Sequence, residues 1–324
     1  MILLTGATGF LGRHIADELL AGGYEVRLLV RDAETRSLPW GSLVEVVDGD
    51  LLDVVALGDA VQGVEAVVHA GALVSFRKRD RDLLLAVNVT GTANLVDACL
   101  EAGVPRLIHI SSIGALGRQS DGAPITERTP WQDKQVVSTY ALSKRKAERE
   151  VLRGVAEGLW AAILNPALIL GPGDWRQGTP RIFAMVQRGL RFYNSGGTGL
   201  VAARDVARAC LHLLHADTPA GERFILSAES LTYRELLAMI ATELGKTPPA
   251  YKLPPRLMHL TGWIAEKIDT LTGWDLGLTY ENMRSASRVE RYDGSKIERT
   301  GFSYTPIQQV VAETVEKLRA DVHD

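Results

Sequence analysis

The chain has 324 residues and a mass of about 35 kDa, beyond the size at which one hydrophobic core usually stops growing, which excludes a small binding module. Its hydrophobic share of 46% is ordinary for a globular protein, and 36 basic residues against 39 acidic ones leave a net charge of −3, which excludes bulk attraction to nucleic acid or to an anionic membrane. The two cysteines, Cys99 and Cys210, lie inside helix-like stretches, where buried small apolar residues of a reducing compartment are expected rather than a disulfide. No signal-like stretch precedes the first glycine motif, so a cytoplasmic protein is expected.

Through the first half, short apolar runs alternate with longer helical patterns, as in βαβ units on a parallel sheet. Strands are expected at 1–5, 24–31, 43–48, 65–70, 105–111 and 160–170, with helices at 10–22, 53–61, 80–102 and 136–158. Runs such as MILL, RLLV, AVVHA and LIHI are almost unbroken, which predicts an α/β, doubly wound parallel sheet covered by helices on both faces. After Pro166 the texture shortens: GPGDW, the NSGGTG stretch at 194–199 and the prolines of TPPAYKLPP interrupt it. Helices are expected there at 204–215, 232–244 and 306–320, the last with Val310, Val311, Val315 and Leu318 at helical spacing. A further amphipathic stretch covers 256–274. Glu266, Lys267 and Asp269 bar it from spanning a membrane, and it is expected to face the core or cover a pocket rather than lie on a membrane surface.

Gly6, Gly9 and Gly12, in LLTGATGFLGRHIADELL, fall between the first strand and the first helix. Glycines there permit a tight turn and close backbone approach to a pyrophosphate resting on the free N–H groups of a helix N-terminus. A dinucleotide-binding loop follows from that context. An acidic residue ending the second strand would accept hydrogen bonds from an adenosine ribose, but that place holds Arg31. A guanidinium pairs with a 2′-phosphate instead, so NADP(H) is favoured; Asp32 follows directly and leaves NAD(H) open.

Tyr140 precedes Lys144 by four residues on an expected helix, one turn apart on the same face. A free tyrosine has a pKa near 10, and a neighbouring ammonium would favour its phenolate and fit it for acid–base work. Ser111 and Ser112 end a parallel strand, where ligands of open α/β sheets bind, and a hydroxyl there would meet a substrate oxygen.

In these residues the chain resembles the extended short-chain dehydrogenase/reductases, among them nucleotide-sugar epimerases and dehydratases, dihydroflavonol reductase-like enzymes and 3β-hydroxysteroid dehydrogenase-like enzymes. Thr5 to Gly12 resembles the family's TGxxGxxG. Asp50-Leu51 resembles its adenine contact, and His69 to Ala72 its His-x-Ala-Ala, with Gly71 substituted. Asn88 to Thr92 matches its Asn-Val-x-Gly-Thr, and Tyr140 to Lys144 its Tyr-x-x-x-Lys. Further on, Pro166 and GPGD at 171–174 resemble the segment beside the nicotinamide, with Asn165 where an arginine often stands. Asp205-Val206-Ala207 after Arg204, and Gly301-Phe302 through Pro306, resemble later family motifs.

The resemblance implies a Rossmann fold over 1–165 and a smaller, mostly helical substrate-binding part over 166–324, interleaved with the last strands of the sheet. It implies that Ser112 orients the substrate, that Tyr140 gives or takes a proton, and that Lys144 lowers the tyrosine pKa and holds the nicotinamide ribose. Nucleotide contacts would come from Gly6, Thr8, Gly9, Phe10, Leu11, Gly12, Arg31, Asp50, Leu51, His69, Ala70, Gly71, Asn88, Ser111, Tyr140, Lys144, Pro166 and Ile169. No metal is called for. Helices 80–102 and 136–158 resemble those that pair in dimeric members, while Leu83, Leu84, Val87 and Leu95 suit the chain's own sheet equally, so homodimer and monomer both stay open.

Sugar dehydratases of the family carry Asp-Glu after the Ser/Thr; Ile113-Gly114 stands there, which disfavours dehydration. Arg31 weighs against an NAD-retaining nucleotide-sugar epimerase. The expected activity is NADP(H)-dependent interconversion of a ketone or aldehyde and its alcohol, a small-molecule reaction. The alternatives are an epimerase, a 3β-hydroxysteroid dehydrogenase-like enzyme, and a non-enzymatic nucleotide-binding subunit. Phe76, Trp131, Trp175, Phe183, Met185 and Phe192 are the candidate aromatic and apolar lining, with Phe76 and Trp175 assigned to substrate binding because each follows a motif ending at the cofactor.

Overall fold

The computed structural model describes residues 1–32, 38–119, 122–132, 137–254, 256–258, 260–264, 283 and 287–323. Its centre is a seven-stranded parallel sheet. Six of its strands are β1 (Ile2–Thr5), β2 (Val26–Val30), β3 (Val44–Asp48), β4 (Ala66–His69), β5 (Arg106–Ile110) and β6 (Trp160–Pro166). Strand β7 (Leu168–Leu170), helix α6 (Pro180–Gln187), β8 (Phe192–Asn194), β9 (Gly197–Ala202) and helix α7 (Ala203–His215) come before the seventh, β10 (Glu222–Leu226). The order across the sheet is β10-β6-β5-β4-β1-β2-β3, so the chain leaves β1 in one direction and returns on its other side at β4. That reversal opens a crevice at the carboxyl ends of β1 and β4.

Strand residues alternate between two cores. Leu4, Leu28, Ile108 and Leu164 face α1 (Phe10–Ala21) and α7. Leu3, Val67, Leu107 and Ile163 face the other layer, α2 (Val54–Ala60), α4 (Gly91–Glu101) and α5 (Thr139–Ala156), where they pack with Leu57, Leu95 and Val151. Short α3 (Arg81–Leu85) leads into α4 through a π turn at Ala86–Thr90. On this second face each apolar strand residue is followed, two positions on, by a polar one: Thr5, His69, His109 and Asn165, all buried. The period of two carries the same face from core to site.

The expectation of one strand over 160–170 needs correction. The chain leaves the main sheet after Pro166, which has no N–H to give a ladder, and β7 joins a separate sheet of order β11-β9-β7, with β11 at Glu229–Thr232. The NSGGTG stretch, expected as a break, ends inside strand β9. Helix α8 (Tyr233–Leu244) starts with a capping box from Thr232 and Glu235, and β12 (Tyr251–Leu253) pairs with β8. The C-terminal α9 (Ile307–His323) buries Val310, Val311, Val315 and Leu318 with Leu236 and Ile240 of α8.

Cys99 and Cys210 are buried and free. The run Lys78–Glu101 has the length and apolar content to cross a membrane, but in the fold Leu84, Leu95, Val96 and Cys99 are buried and α4 packs on α5. Much of the segment 256–274 lies outside the described residues; within 256–264, Met258 is buried while Leu257, Leu260, Trp263 and Ile264 are exposed.

The C-terminal part is held to α7 by Asp205, which is fully buried. Its carboxylate accepts from the Thr305 N–H at 2.7 Å and the Thr305 hydroxyl at 2.9 Å, and pairs with Arg208 at 2.9 Å. Asp205→Ala leaves the Thr305 donors unpartnered inside the protein. Urea unfolding is expected to show a loss of about 3 kcal/mol, and a loss below 1 kcal/mol would show that these bonds do not hold the C-terminal part.

Candidate active site

The glycine loop is built by close approach. Gly6 has φ +77°, and a Cβ on it would lie 2.6 Å from the Gly71 nitrogen; a Cβ on Gly12 would lie 2.0 Å from the Gly6 carbonyl oxygen. Only glycines bring the two loops and the helix this near. Helix α1 begins at Gly9 without a side-chain cap and without an acidic residue in its first turn, leaving N–H groups and a positive end toward an anion. In front lies a cavity of about 320 Å³ lined by Gly6, Thr8, Gly9, Arg31, Asp50, Leu51, Ala70 and Gly71, with Leu29, Leu73 and Val87 among its apolar walls. An uncapped helix end, a glycine cradle and apolar walls suit the phosphates and adenine of a dinucleotide.

Arg31 stands at the rim, largely exposed, 3.6 Å from the Asp50 carboxylate. Asp32, at φ +53°, makes the sharp turn after β2 in a conformation that aspartate tolerates. Asp50 also accepts from the Leu52 N–H at 2.8 Å.

Behind the cavity a directed chain of hydrogen bonds ties the strand ends together. The Gly71 N–H donates to the Thr5 hydroxyl oxygen at 3.0 Å. Thr92 donates its only hydroxyl proton to the Asn88 carbonyl at 2.7 Å, so at 3.0 Å from His69 it must accept from Nε2–H. Burial together with the Lys144 charge pushes the ring's pKa down to about 3, which keeps it neutral. With Nε2 carrying the one proton, His69 Nδ1 accepts the Thr5 hydroxyl at 2.7 Å. His109, packed against it with ring centroids 5.1 Å apart, is held well below its ordinary value by the same causes. Neither His69 nor His109 is among the residues that line the cavity.

Asn88, buried on the π turn, accepts from Leu73 N–H at 2.7 Å and donates to Leu73 O and to Ser143 Oγ, both at 2.9 Å. Ser143 passes its proton to the Tyr140 carbonyl at 2.7 Å. Asn88 thus fixes the loop after β4 against the first turn of α5, whose start is capped by Ser138.

Tyr140 and Lys144 occupy successive turns of α5. Ser112 accepts from the Gly114 N–H at 3.1 Å, which leaves its own proton to give, and its hydroxyl is near enough to the Tyr140 phenol to draw the tyrosine pKa down. The Phe76 ring lies edge-on to the Tyr140 ring at 5.6 Å. Lys144 is buried, and its ammonium donates to the Ile110 carbonyl at 2.6 Å. Burial pushes the lysine down to about 8, against the pull of Glu148.

The tyrosine differs from the expectation of a lowered pKa. Burial raises it above its ordinary value and the Ser112 hydroxyl only partly opposes this, while the Lys144 ammonium is turned to the strand end. Ser111 donates to Glu148 at 2.5 Å.

The other expected lining residues disperse. Trp175 and Phe10 line a second cavity of about 950 Å³, and the Trp175 indole donates to Asp321 at 2.9 Å. Phe183 is core, Met185 and Phe192 are exposed, and Trp131 lies under the Arg145 guanidinium at 4.3 Å. Pro166 is buried as the last residue of β6, and Ile169 lies half-buried in β7, paired with Val201. Thr5, Thr92, Ser143, Glu148 and Arg223 were not reached from the sequence as site residues. The one local signal for part of this set is the polar residue closing each apolar strand.

A family model described as the NAD dependent epimerase/dehydratase family matches residues 2–226. A Synechocystis protein provisionally named a dihydroflavonol 4-reductase is 30% identical over 319 residues, 96% of this chain and 92% of that protein. Sterol demethylase protein B of Methylococcus capsulatus is 36% identical over 323 residues, 98% of each. The crystal structure of gox2253 superimposes with a TM-score of 0.85 at 32% identity, covering 99% of this chain and 98% of that one.

The neutral His69 sets a pH dependence. Unfolded, it binds a proton below its ordinary value of 6.5; folded, it resists one down to about 3. The unfolded chain thus gains protons first, and stability falls as pH drops through that window, by at most about 1.4 kcal/mol per pH unit for one histidine. Urea unfolding of His69→Gln between pH 6 and pH 4 should show a slope shallower by about 1 kcal/mol per unit; an unchanged slope would contradict the neutral ring.

Proposed function

Because the chain belongs to the NAD dependent epimerase/dehydratase family and is similar over its length to a protein named a reductase, we propose that it interconverts a ketone or aldehyde and the corresponding alcohol with NADP(H), using Ser112, Tyr140 and Lys144. Residues 1–165 serve as the nucleotide platform and 166–324 as the substrate-binding part. The observation that carries this reading is the placing of Tyr140 and Lys144 on successive turns of α5, with the lysine ammonium buried against the Ile110 carbonyl at 2.6 Å, two residues before Ser112. The arrangement gathers a phenol, a hydroxyl and an ammonium at the strand end where a carbonyl oxygen would gain negative charge.

A bound nicotinamide supplies or accepts the hydride. Ser112 hydrogen-bonds the substrate oxygen. Tyr140, whose raised pKa keeps it protonated at neutral pH, delivers a proton to that oxygen in the reductive direction. Lys144 holds the nicotinamide ribose and, by its charge, stabilises the phenolate that remains. Phe76 covers the tyrosine and excludes water from it. Arg31 at the cavity rim takes the 2′-phosphate, which draws it from Asp50. The free, buried thiols fit a cytoplasmic setting. A sterol-like ketone or alcohol is a second reading of the substrate, favoured by the 36% identity over full length with a protein named for sterol demethylation.

Tyr140→Phe should lower kcat by about 100-fold or more on whichever member of a panel of aromatic aldehydes, 3-oxo acyl compounds and 3-keto steroids the wild-type chain reduces, and leave NADPH affinity within about twofold. Full turnover in that variant would overturn the assignment. Arg31→Asp should weaken NADPH binding by about 10- to 100-fold, the loss of one charge-assisted pair, and leave NADH binding equal or better. An unchanged ratio of the two affinities would overturn the NADP(H) preference.

A further inference from the structure

One turn beyond Lys144 on α5, Glu148 has no solvent exposure. Its Oε1 accepts from the Ser111 hydroxyl at 2.5 Å and from Asn165 Nδ2 at 2.6 Å. Its Oε2 lies 3.1 Å from Nε of Arg223, which β10 brings to the same face of the sheet by pairing Arg223 with Ile163. Asn165 Nδ2 also donates to the Ser112 carbonyl at 3.0 Å, and Lys144 to the Ile110 carbonyl. Residues 110, 111 and 112 are each fixed from this one cluster.

The hydrogen bonds alone do not account for a carboxylate. Both go to one oxygen, and the amide oxygen of a glutamine would accept them equally well. A buried charge is costly unless it is paired, and two cations meet this one: Arg223 at 3.1 Å and, one turn back on α5, Lys144. The titratable groups facing Lys144 are His69 on β4 and His109 on β5, both neutral, Tyr140, which keeps its proton, and Glu148. Beyond Glu148 stands Arg223. The carboxylate is the negative charge in that set.

We propose that Glu148 is a positioning residue that keeps Lys144 charged for its contact with the nicotinamide ribose, while Asn165 and Arg223 fix the carboxylate from β6 and β10. The inference rests on the assignment of Lys144 to the ribose. Lys144 stands at about 8 with Glu148 acting in its favour, so loss of that charge lets burial push it lower. The ammonium is present below its pKa and lost above it, and affinity for the ribose should follow.

The test is the dissociation constant of NADPH with the full chain, read from NADPH fluorescence between pH 6.5 and 9.5, above the 2′-phosphate titration near 6. In the wild type, affinity is expected to fall as pH rises through about 8, and in Lys144→Met the profile is expected to be flat. Glu148→Gln keeps the shape and loses the charge; its midpoint should move down by about one pH unit. Glu148→Asp loses shape and keeps the charge; its midpoint should stay within about 0.3 units of wild type. If Glu148→Gln does not fold because Arg223 is left without a partner, Glu148→Gln combined with Arg223→Met removes that cation and should show the same downward shift. A wild-type midpoint retained in the glutamine variants, or an equal shift in the aspartate variant, overturns the inference alone. A flat wild-type profile overturns the ribose assignment and the inference with it.

Discussion

An ammonium group cut off from water has to be met by groups that are themselves buried, and Lys144 imposes that requirement on everything around it. It is 3% exposed. The Ile110 carbonyl takes one of its protons, and Glu148 supplies the opposing charge. The two histidines beside it are kept neutral by the same burial and by the lysine itself. Neutral rings can sit where cations would not, and His69 in that form can both donate to Thr92 and accept from Thr5. The glycine loop, through Gly71 and Thr5, is thereby tied to the helix layer that carries the tyrosine. One buried cation organises both halves of the crevice.

The sheet was readable because its physics is local. Unbroken apolar runs put β1 to β5 within a residue or two of their places, and helices α1, α2, α5, α7 and α8 followed from their helical pattern. The split between β6 and β7 was not readable, since LNPALIL stays apolar while Pro166 ends one ladder and Leu168 starts another. Strand β10 was missed because it opens on Glu222 and Arg223, charges that look like a loop until their partners are known: Lys296 for one, Glu148 for the other. The π turn at Ala86–Thr90 has no compositional mark.

At the site, the motifs that depend on spacing along the chain were legible: three glycines, and Tyr140 with Lys144. What depends on spacing through space was not. Glu148 reads as one more charge on an amphipathic helix, and Asn165 as a substitution in a motif; only the packing of α5 against β5, β6 and β10 makes them neighbours. Trp175, assigned to a substrate by sequence order, lines the second cavity and donates to Asp321 of the last helix. Lys144 was read as a partner of the phenol, but an ammonium under a strand end turns first to the nearest free carbonyl.

The edge position of β10 has a consequence for how the protein is made. Synthesis runs from the N-terminus, and folding can begin before the chain is finished. When β6 has emerged, the glycine loop, Ser112, Tyr140, Lys144 and Glu148 are all present, yet the edge of the sheet at β6 is open and the guanidinium that belongs against Glu148 has not been translated. Docking of residues 222–226 closes that edge and delivers Arg223 in one event. Ribosomal order thus makes the last strand of the sheet also the last charge of the site, and an unfinished chain carries its lysine, tyrosine and serine beside a glutamate whose guanidinium partner has yet to arrive.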